Sequence, residues 1–324
     1  MTGTVVVTGA AGFIGRNTVA ALNERGQTDL LLVDDLGTDE KWRNLRGLRF
    51  ADLIRPADLA GWLASGPPSR VDAVVHLGAC SATTERDADF LLENNYRYTR
   101  RLCEWSVTHS KRFVYASSAA TYGDGALGYS DDDATTLRLR PLNMYGYSKH
   151  MFDLWALREG LFDRIAGLKY FNVYGPYEDH KGDMRSVVAK AYRQIRDGGS
   201  LGLFRSYRDG IADGEQRRDF VHVDDAVAVT LHLLDQRDHG GLFNCGTGLA
   251  RTWLDLGRAV FAALDREPAI EFVDMPPQLR GTYQYFTQAE TGNLRKAGFT
   301  ADFLTLEQGV DRYVRGHLST LEPA

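Results

Sequence analysis

Cysteine is scarce in this chain and poorly placed for cross-linking. Only Cys80, Cys103 and Cys245 occur in 324 residues, far apart and never as a C-x-x-C pair, which argues against a disulfide framework and against zinc. Reduced, buried thiols are the expectation. An excess of positive charge is also missing. A formal net charge of −5 gives nucleic acid no general basic surface, so any anionic substrate must be held by local Arg and Lys clusters. No apolar run reaches membrane-spanning length. Val5-Val6-Val7 follows no basic leader and no cleavage site, and it runs straight into glycines. It reads as a first strand rather than a signal peptide, which places the chain in the cytoplasm. Internal repeats and low-complexity segments are lacking too. What is present is ordinary globular composition, 44% hydrophobic and 25% charged, in a chain long enough for one large α/β unit or two interlocked domains.

The first half alternates short apolar runs with amphipathic stretches. Thr4 to Thr8, Leu30 to Asp34, Ala73 to Leu77, Phe113 to Ser117 and Leu168 to Phe171 read as strands, with helical patterns such as Gly12 to Arg25 and Asp87 to His109 between them. Near-continuous apolar strands separated by helices predict a parallel sheet covered on both faces. Right-handed crossovers make it doubly wound, with ligands at the carboxyl ends of the strands. After Asn172 the rhythm loosens. Helical segments at Arg185 to Arg196, Asp224 to Gln236 and Trp253 to Leu264 mix with short strands and polar loops, and Arg205 to Arg217 predicts a surface loop. The expected fold is α/β, a Rossmann-like dinucleotide-binding domain over residues 1–172 with returning segments near 219–245. A smaller, mainly substrate-binding α/β domain covers 173–324.

Gly9, Gly12 and Gly15 stand at G-x-x-G-x-x-G spacing between the first strand and a helix. Gly9 permits the tight turn, Gly12 lets backbone approach a pyrophosphate and Gly15 allows close helix–strand packing. The helix start offers free N–H groups to phosphates. Asp34-Asp35 closes the second strand where an acid grips an adenosine ribose, which by itself predicts NAD. Lys41 and Arg43 follow closely; they either neutralise a 2′-phosphate or form a solvated basic loop. Asp52 is an acceptor for an adenine amino group or a helix cap.

In Tyr145-Gly146-Tyr147-Ser148-Lys149, the Tyr and Lys four residues apart share one helix face. A phenol with a pKa of about 10 is a poor base at neutrality, and bringing it to about 7 requires roughly 4 kcal/mol from neighbouring positive charge. Ser118, at the end of the Phe113–Ser117 strand, is placed to hydrogen-bond the same substrate hydroxyl.

The glycines, Ser118 in Ser117-Ser118-Ala119-Ala120-Thr121-Tyr122-Gly123, and Tyr145 with Lys149 together resemble the extended short-chain dehydrogenase/reductase family. Asn172-Val173-Tyr174-Gly175-Pro176 and Arg218-Asp219-Phe220-Val221 resemble segments of its sugar-nucleotide enzymes. Gly78-Ala79-Cys80-Ser81, Glu93-Asn94-Asn95-Tyr96, Lys169-Tyr170-Phe171-Asn172, His180-Lys181-Gly182 and Tyr283-Gln284 resemble its ADP-L-glycero-D-manno-heptose 6-epimerase branch over nearly the whole chain. The resemblance implies that Phe13, Ile14, Asp34, Asp35, Lys41, the Leu77, Gly78, Ala79, Cys80, Ser81 loop, Asn94, Lys149, Val173 and Lys181 line the cofactor. Asn172, Asp183, Lys190, Phe204, Arg218 and Tyr283 would face an ADP-sugar. It also implies NADP as cofactor and a homo-oligomer, a pentamer being one form. Asp35 stands where the family often has Asn, which leaves NAD usable. The loop before Arg218 is long and displaces Arg205 to Tyr207 from their expected substrate contacts.

The family shares an opening step, in which a base takes a hydroxyl proton while hydride moves to nicotinamide. Its 4,6-dehydratases place Asp-Glu after the catalytic Ser or Thr. Ala119 and Ala120 stand here and move no proton, so dehydration is disfavoured. At exocyclic C6 a ketone turns about a single bond and takes hydride on its other face. The hydroxyl then comes from a new direction, where a second acid/base is useful. Lys181 resembles that group, the other reading being a phosphate contact. The expected activity is C6 inversion through a 6-keto intermediate. The rivals are another nucleotide-sugar epimerase or reductase of the family, and a non-catalytic dinucleotide sensor, for which proton machinery would be superfluous.

Overall fold

A computed structural model describes residues 3–281 and 283–321. Twelve strands are formed among them: β1 (Thr4–Thr8), β2 (Leu30–Val33), β3 (Asp52–Ile54), β4 (Val71–His76), β5 (Arg112–Ser118), β6 (Ile165–Tyr170), β7 (Asn172–Tyr174), β8 (Leu201–Phe204), β9 (Arg217–His222), β10 (Gly241–Cys245), β11 (Ala250–Thr252) and β12 (Ile270–Val273). Seven of them make one sheet in the order β3-β2-β1-β4-β5-β6-β10, every pair parallel. β7 and β11 flank β9 in a three-stranded sheet, and β8 pairs with β12. This is the α/β, doubly wound architecture expected from the alternation of apolar runs and helical patterns.

Burial explains the central strands. Val5, Val6 and Val7 are fully buried in succession, as a strand covered on both faces requires. One face carries the helices Phe13–Glu24 and Val223–Asp235 through Val19, Leu22, Val227 and Leu231. The other carries Leu59, Leu102, Phe152 and Trp155. Strand order reverses at β1 and β4, so their carboxyl ends splay apart and leave a crevice for a ligand. A second apolar core joins the helices Val187–Gly198, Trp253–Ala263 and Leu306–Gly316 to β8 through Ile195, Leu203, Val260 and Val310.

Three local expectations are corrected. The stretch Asp87 to His109 is not one regular helix: a π-helical turn, Leu92–Arg97, separates Ala88–Leu91 from Tyr98–Thr108. Asp52 caps no helix; it opens β3, and its carboxylate accepts from Leu53 N at 2.8 Å. Cys103 and Cys245 are buried thiols, but Cys80 is only half-buried. Among the described residues no helix is long and apolar enough to cross a membrane.

Candidate active site

β1 delivers the chain into the glycine turn. Gly9 has a φ of +68°, and a Cβ there would lie 2.6 Å from Gly78 N, so a side chain is excluded by both conformation and space. A Cβ on Gly15 would lie 2.0 Å from Gly9 O; the helix Phe13–Glu24 starts hard against the turn. Its leading residue, Gly12, has no side chain to cap it, which leaves N–H groups free for an anion. A cavity of about 570 Å³ opens over this cradle. Gly9, Gly12, Phe13, Ile14, Gly15, Asp34, Lys41, Leu77, Gly78, Ala79, Cys80, Ser81, Ser118, Tyr145, Lys149, Val173 and Lys181 all line it. Glycine turn, uncapped helix and a cavity of this size above them fit a dinucleotide.

The acids after β2 are not free. Asp34 accepts Ala11 N at 2.8 Å and pairs with Lys41 Nζ at 2.5 Å. Lys41 also donates to Asp35 O at 3.1 Å. Asp35 is exposed, lies outside the cavity lining and pairs with Arg55 at 3.2 Å. Arg43 is turned to Glu40 on the surface. Asn94 also lies outside the lining and donates to Asn95 Oδ1 at 3.0 Å.

Tyr145 and Lys149 come from the helix Met144–Arg158, whose start is fixed by Asn143 accepting Gly146 N at 2.8 Å. Burial holds the Tyr145 phenol above its ordinary value, and hydrogen bonding with Ser118 works the other way. Lys149 is nearly buried and donates to Ala116 O at 2.8 Å; burial lowers its pKa to about 8. The protein alone therefore leaves Tyr145 protonated. Any fall toward neutrality has to come from charge added when the cavity is filled. Lys181 lies in the turn Asp179–Met184, where Gly182 has a φ of +53°. Its ammonium stands 5.1 Å from the Phe13 ring centre. Burial depresses its pKa, Glu178 raises it and Lys190 lowers it further.

A buried polar chain lies behind the cavity wall, and no motif announces it. Asn95, in the π-helical turn, accepts Cys80 N at 2.9 Å and donates to Cys80 O at 2.9 Å and Ser148 Oγ at 3.0 Å. Thr99 donates to Asn95 O at 2.6 Å and lies 2.8 Å from His76 Nε2; His76 Nδ1 lies 2.6 Å from Thr8 Oγ1, which accepts Gly78 N at 3.0 Å. Because Thr99 spends its proton on Asn95, His76 must donate from Nε2 and accept Thr8 at Nδ1. Burial pushes the His76 pKa down to about 3, consistent with a neutral ring.

A second cavity of about 250 Å³ adjoins the first. Phe171, Val173, Lys181 and Met184 line both. Asn172, Phe220 and Trp253 line the second. Trp253 donates to Tyr283 OH at 2.9 Å, and the nearly buried Arg218 guanidinium sits 5.1 Å from the Tyr283 ring and 5.7 Å from that of Trp253. Phe204 ends β8, where its carbonyl accepts Gln216 Nε2 at 3.2 Å. Asp183 and Lys190 line a third, smaller hollow together with Arg185 and Arg193. The structure thus gathers Asn172 beside Lys181 and joins Arg218 to Tyr283, but sets Asp183 and Lys190 in a separate hollow. Trp253 and Asn95 are the neighbours that sequence reasoning missed. The long loop before β9 is largely exposed, and Arg205 is engaged there with Asp213 at 3.1 Å.

Comparison with known proteins agrees with this geometry. The family model described as NAD dependent epimerase/dehydratase family matches residues 5–246. The chain is 59% identical over 319 residues to an ADP-L-glycero-D-manno-heptose-6-epimerase of Nitratidesulfovibrio vulgaris, covering 98% of this chain and 99% of that one. It is 45% identical to an enzyme of the same name from Fusobacterium nucleatum, covering 97% and 98%. In fold it resembles the crystal structure of the Helicobacter pylori ADP-L-glycero-D-manno-heptose-6-epimerase, with TM-score 0.82, 24% identity and 97% and 96% coverage. The chain belongs to the NAD dependent epimerase/dehydratase family, in the branch of the ADP-L-glycero-D-manno-heptose-6-epimerases.

Proposed function

We propose that the chain inverts C6 of an ADP-linked manno-heptose by oxidation to a 6-ketone and re-reduction on the opposite face. The observation that carries this reading is the position of Lys181. It lines the cavity that holds Ser118, Tyr145 and Lys149, and it lines the adjoining cavity as well. Two proton-handling groups therefore border one space from different elements, an arrangement that suits an inversion by rotation, where the hydroxyl arrives from a new direction.

A bound nicotinamide dinucleotide supplies the acceptor for the C6 hydride and its return. Tyr145 takes or gives the hydroxyl proton in one configuration, and Lys181 does so in the other. Ser118 fixes the oxygen; Lys149 holds the ribose and favours the Tyr145 phenolate. Asn172, Arg218, Tyr283 and Phe204 hold the ADP-sugar, with Asp183 and Lys190 reaching it from the hollow that shares Arg185 with the second cavity; residues 1–172 mainly bind cofactor and 173–324 mainly bind substrate. We read the cofactor as NADP with NAD also usable. Lys41 balances Asp34, and Arg55 balances Asp35, which relieves the repulsion two bare carboxylates would exert on a 2′-phosphate. The enzyme acts in the cytoplasm as a homo-oligomer.

The test incubates the protein with ADP-D-glycero-D-manno-heptose in D₂O without added reductant. Product inverted at C6 and free of deuterium there is expected; deuterium at C6, or a stoichiometric change in nicotinamide absorbance, overturns the reading. Tyr145→Phe and Lys181→Met should each slow turnover by about 10²-fold or more, the worth of a positioned acid/base. Full rate in both directions for the Lys181 variant removes the two-base assignment.

A further inference from the structure

One buried carboxylate has no part in the chemistry above. Glu178 is 0% exposed, where an ionised group is costly unless its oxygens are satisfied. Ser186 N donates to Oε2 at 2.6 Å, while Ser186 Oγ at 2.5 Å and Tyr313 OH at 3.0 Å donate to Oε1. Ser186 Oγ accepts in turn from Ala189 N at 3.3 Å, as the cap of the helix Val187–Gly198, so its own proton is free for the carboxylate. Three donors converge on two oxygens, and a protonated acid would have to displace one of them; the ring suits the ionised form. On the main-chain side, Glu178 O accepts Lys181 N at 3.0 Å. One residue thus ties together the Lys181 turn, the helix after it and the helix Leu306–Gly316.

We propose that Glu178 is a positioning residue for the reaction: its buried carboxylate clamps the turn that carries Lys181 and balances the Lys181 ammonium within the cleft. The charged groups facing Lys181 are Glu178 in its own turn, Lys190 on the following helix and neighbouring His180, with the Phe13 ring from the first helix. Asp179 and Arg185 lie beyond, around Tyr313. The Glu178 charge raises the Lys181 pKa, against burial and Lys190, which both depress it. Burial also pushes the Glu178 carboxyl up, and Ser186 and Lys181 oppose that shift. This inference rests on Lys181 acting as the second acid/base.

The substitution Glu178→Gln keeps the shape and removes the charge; the Ser186 and Tyr313 hydroxyls can rotate to accept its amide. Its pH–rate profile is measured in both directions of epimerisation. Where Lys181 starts as the acid it sets the alkaline limb, and where it starts as the base it sets the acid limb. Both Lys181 limbs should move to lower pH by about one unit, the effect of removing an opposite charge nearby, while the Tyr145 limbs stay. Limbs that coincide with wild type, with only the height of the profile lowered, overturn the proposal. In parallel, pH-dependent acylation of Lys181 read by mass spectrometry follows its protonation without reference to activity. A parallel shift is expected there, and an unmoved titration overturns the coupling. If Lys181→Met retains full rate, the reaction reading fails, and the acylation titration still decides whether Glu178 governs the lysine. If Glu178→Gln does not fold, the wild type decides: a Lys181 already neutral below neutral pH shows that the carboxylate does not hold its charge.

Discussion

A methyl group at Gly15 tests the phosphate cradle without touching a polar side chain. The added Cβ would stand 2.0 Å from Gly9 O, 2.7 Å from Gly9 C and 3.0 Å from Ala10 Cα. All three are backbone atoms, so no side chain can swing aside. Helix and turn have to part by about an ångström, at an overpacking cost of about 1–3 kcal/mol, which lowers the melting temperature by about a few degrees in a chain of this size. The same displacement moves the free helical N–H groups off the pyrophosphate. A misplacement of ~1 Å costs on the order of 10²-fold in turnover, and dinucleotide affinity should fall with it. Thermal melts with and without dinucleotide, and titration of bound reduced nicotinamide by fluorescence, read both effects. Gly61→Ala is the control. Nothing lies within 4 Å of a Cβ there, inside the helix Leu59–Ala64, so alanine should stabilise by about 0.5–1 kcal/mol. A Gly15→Ala protein that melts with wild type and binds dinucleotide within about twofold of it, a difference under ~0.5 kcal/mol, would refute the cradle.

Two further outcomes follow from the polar and thiol groups around the cavity. Cys80 lines it half-buried, whereas burial pushes the Cys103 thiol up to about 12 and also raises that of Cys245. Alkylation followed by mass spectrometry should label Cys80 first, and saturating dinucleotide should protect it; equal labelling with and without dinucleotide counts against cofactor binding at this cavity. His76 is held neutral with its pKa lowered to about 3. A depressed folded pKa means stability that is complete above the unfolded value of about 6.5 and lost as pH falls toward the folded one. The melting temperature should therefore drop on acidification across that window, and His76→Asn should flatten the drop while lowering stability at neutral pH. Asp131 and Asp225, raised by burial to about 6, act in the opposite sense, so the difference between wild type and variant is the quantity to compare. Parallel pH dependences would remove His76 from the account.

What the sequence disclosed depended on how local the cause was. β1 spans the residues its apolar run marks, and β2, β4, β5 and β6 lie within a few residues of expectation, because burial on both faces writes itself into consecutive side chains. The glycine turn and the Tyr145–Lys149 pair are legible for the same reason: each requirement is met within a few residues. β3, β7 and the β8–β12 pair were not legible. They are three or four residues long and exist through partners far along the chain. Asn95 was hidden because its setting is a π-helical turn, which shifts the helix register without changing composition. Arg218, Trp253 and Tyr283 come from three separate segments, and only resemblance singled out two of them.

The hydrogen-bonded row from Gly78 through Thr8, His76 and Thr99 to Asn95 and Ser148 makes one wall of the pocket a single hard plate. Every member has a fixed sense of donation, so no link can be reversed without leaving an orphan proton or lone pair. Whatever occupies the pocket receives no slack from that side. The Asp179–Met184 turn is tied down as well, with Lys181 N held by Glu178 O at 3.0 Å, so any reorientation in the pocket falls to the ligand itself rather than to the frame around it.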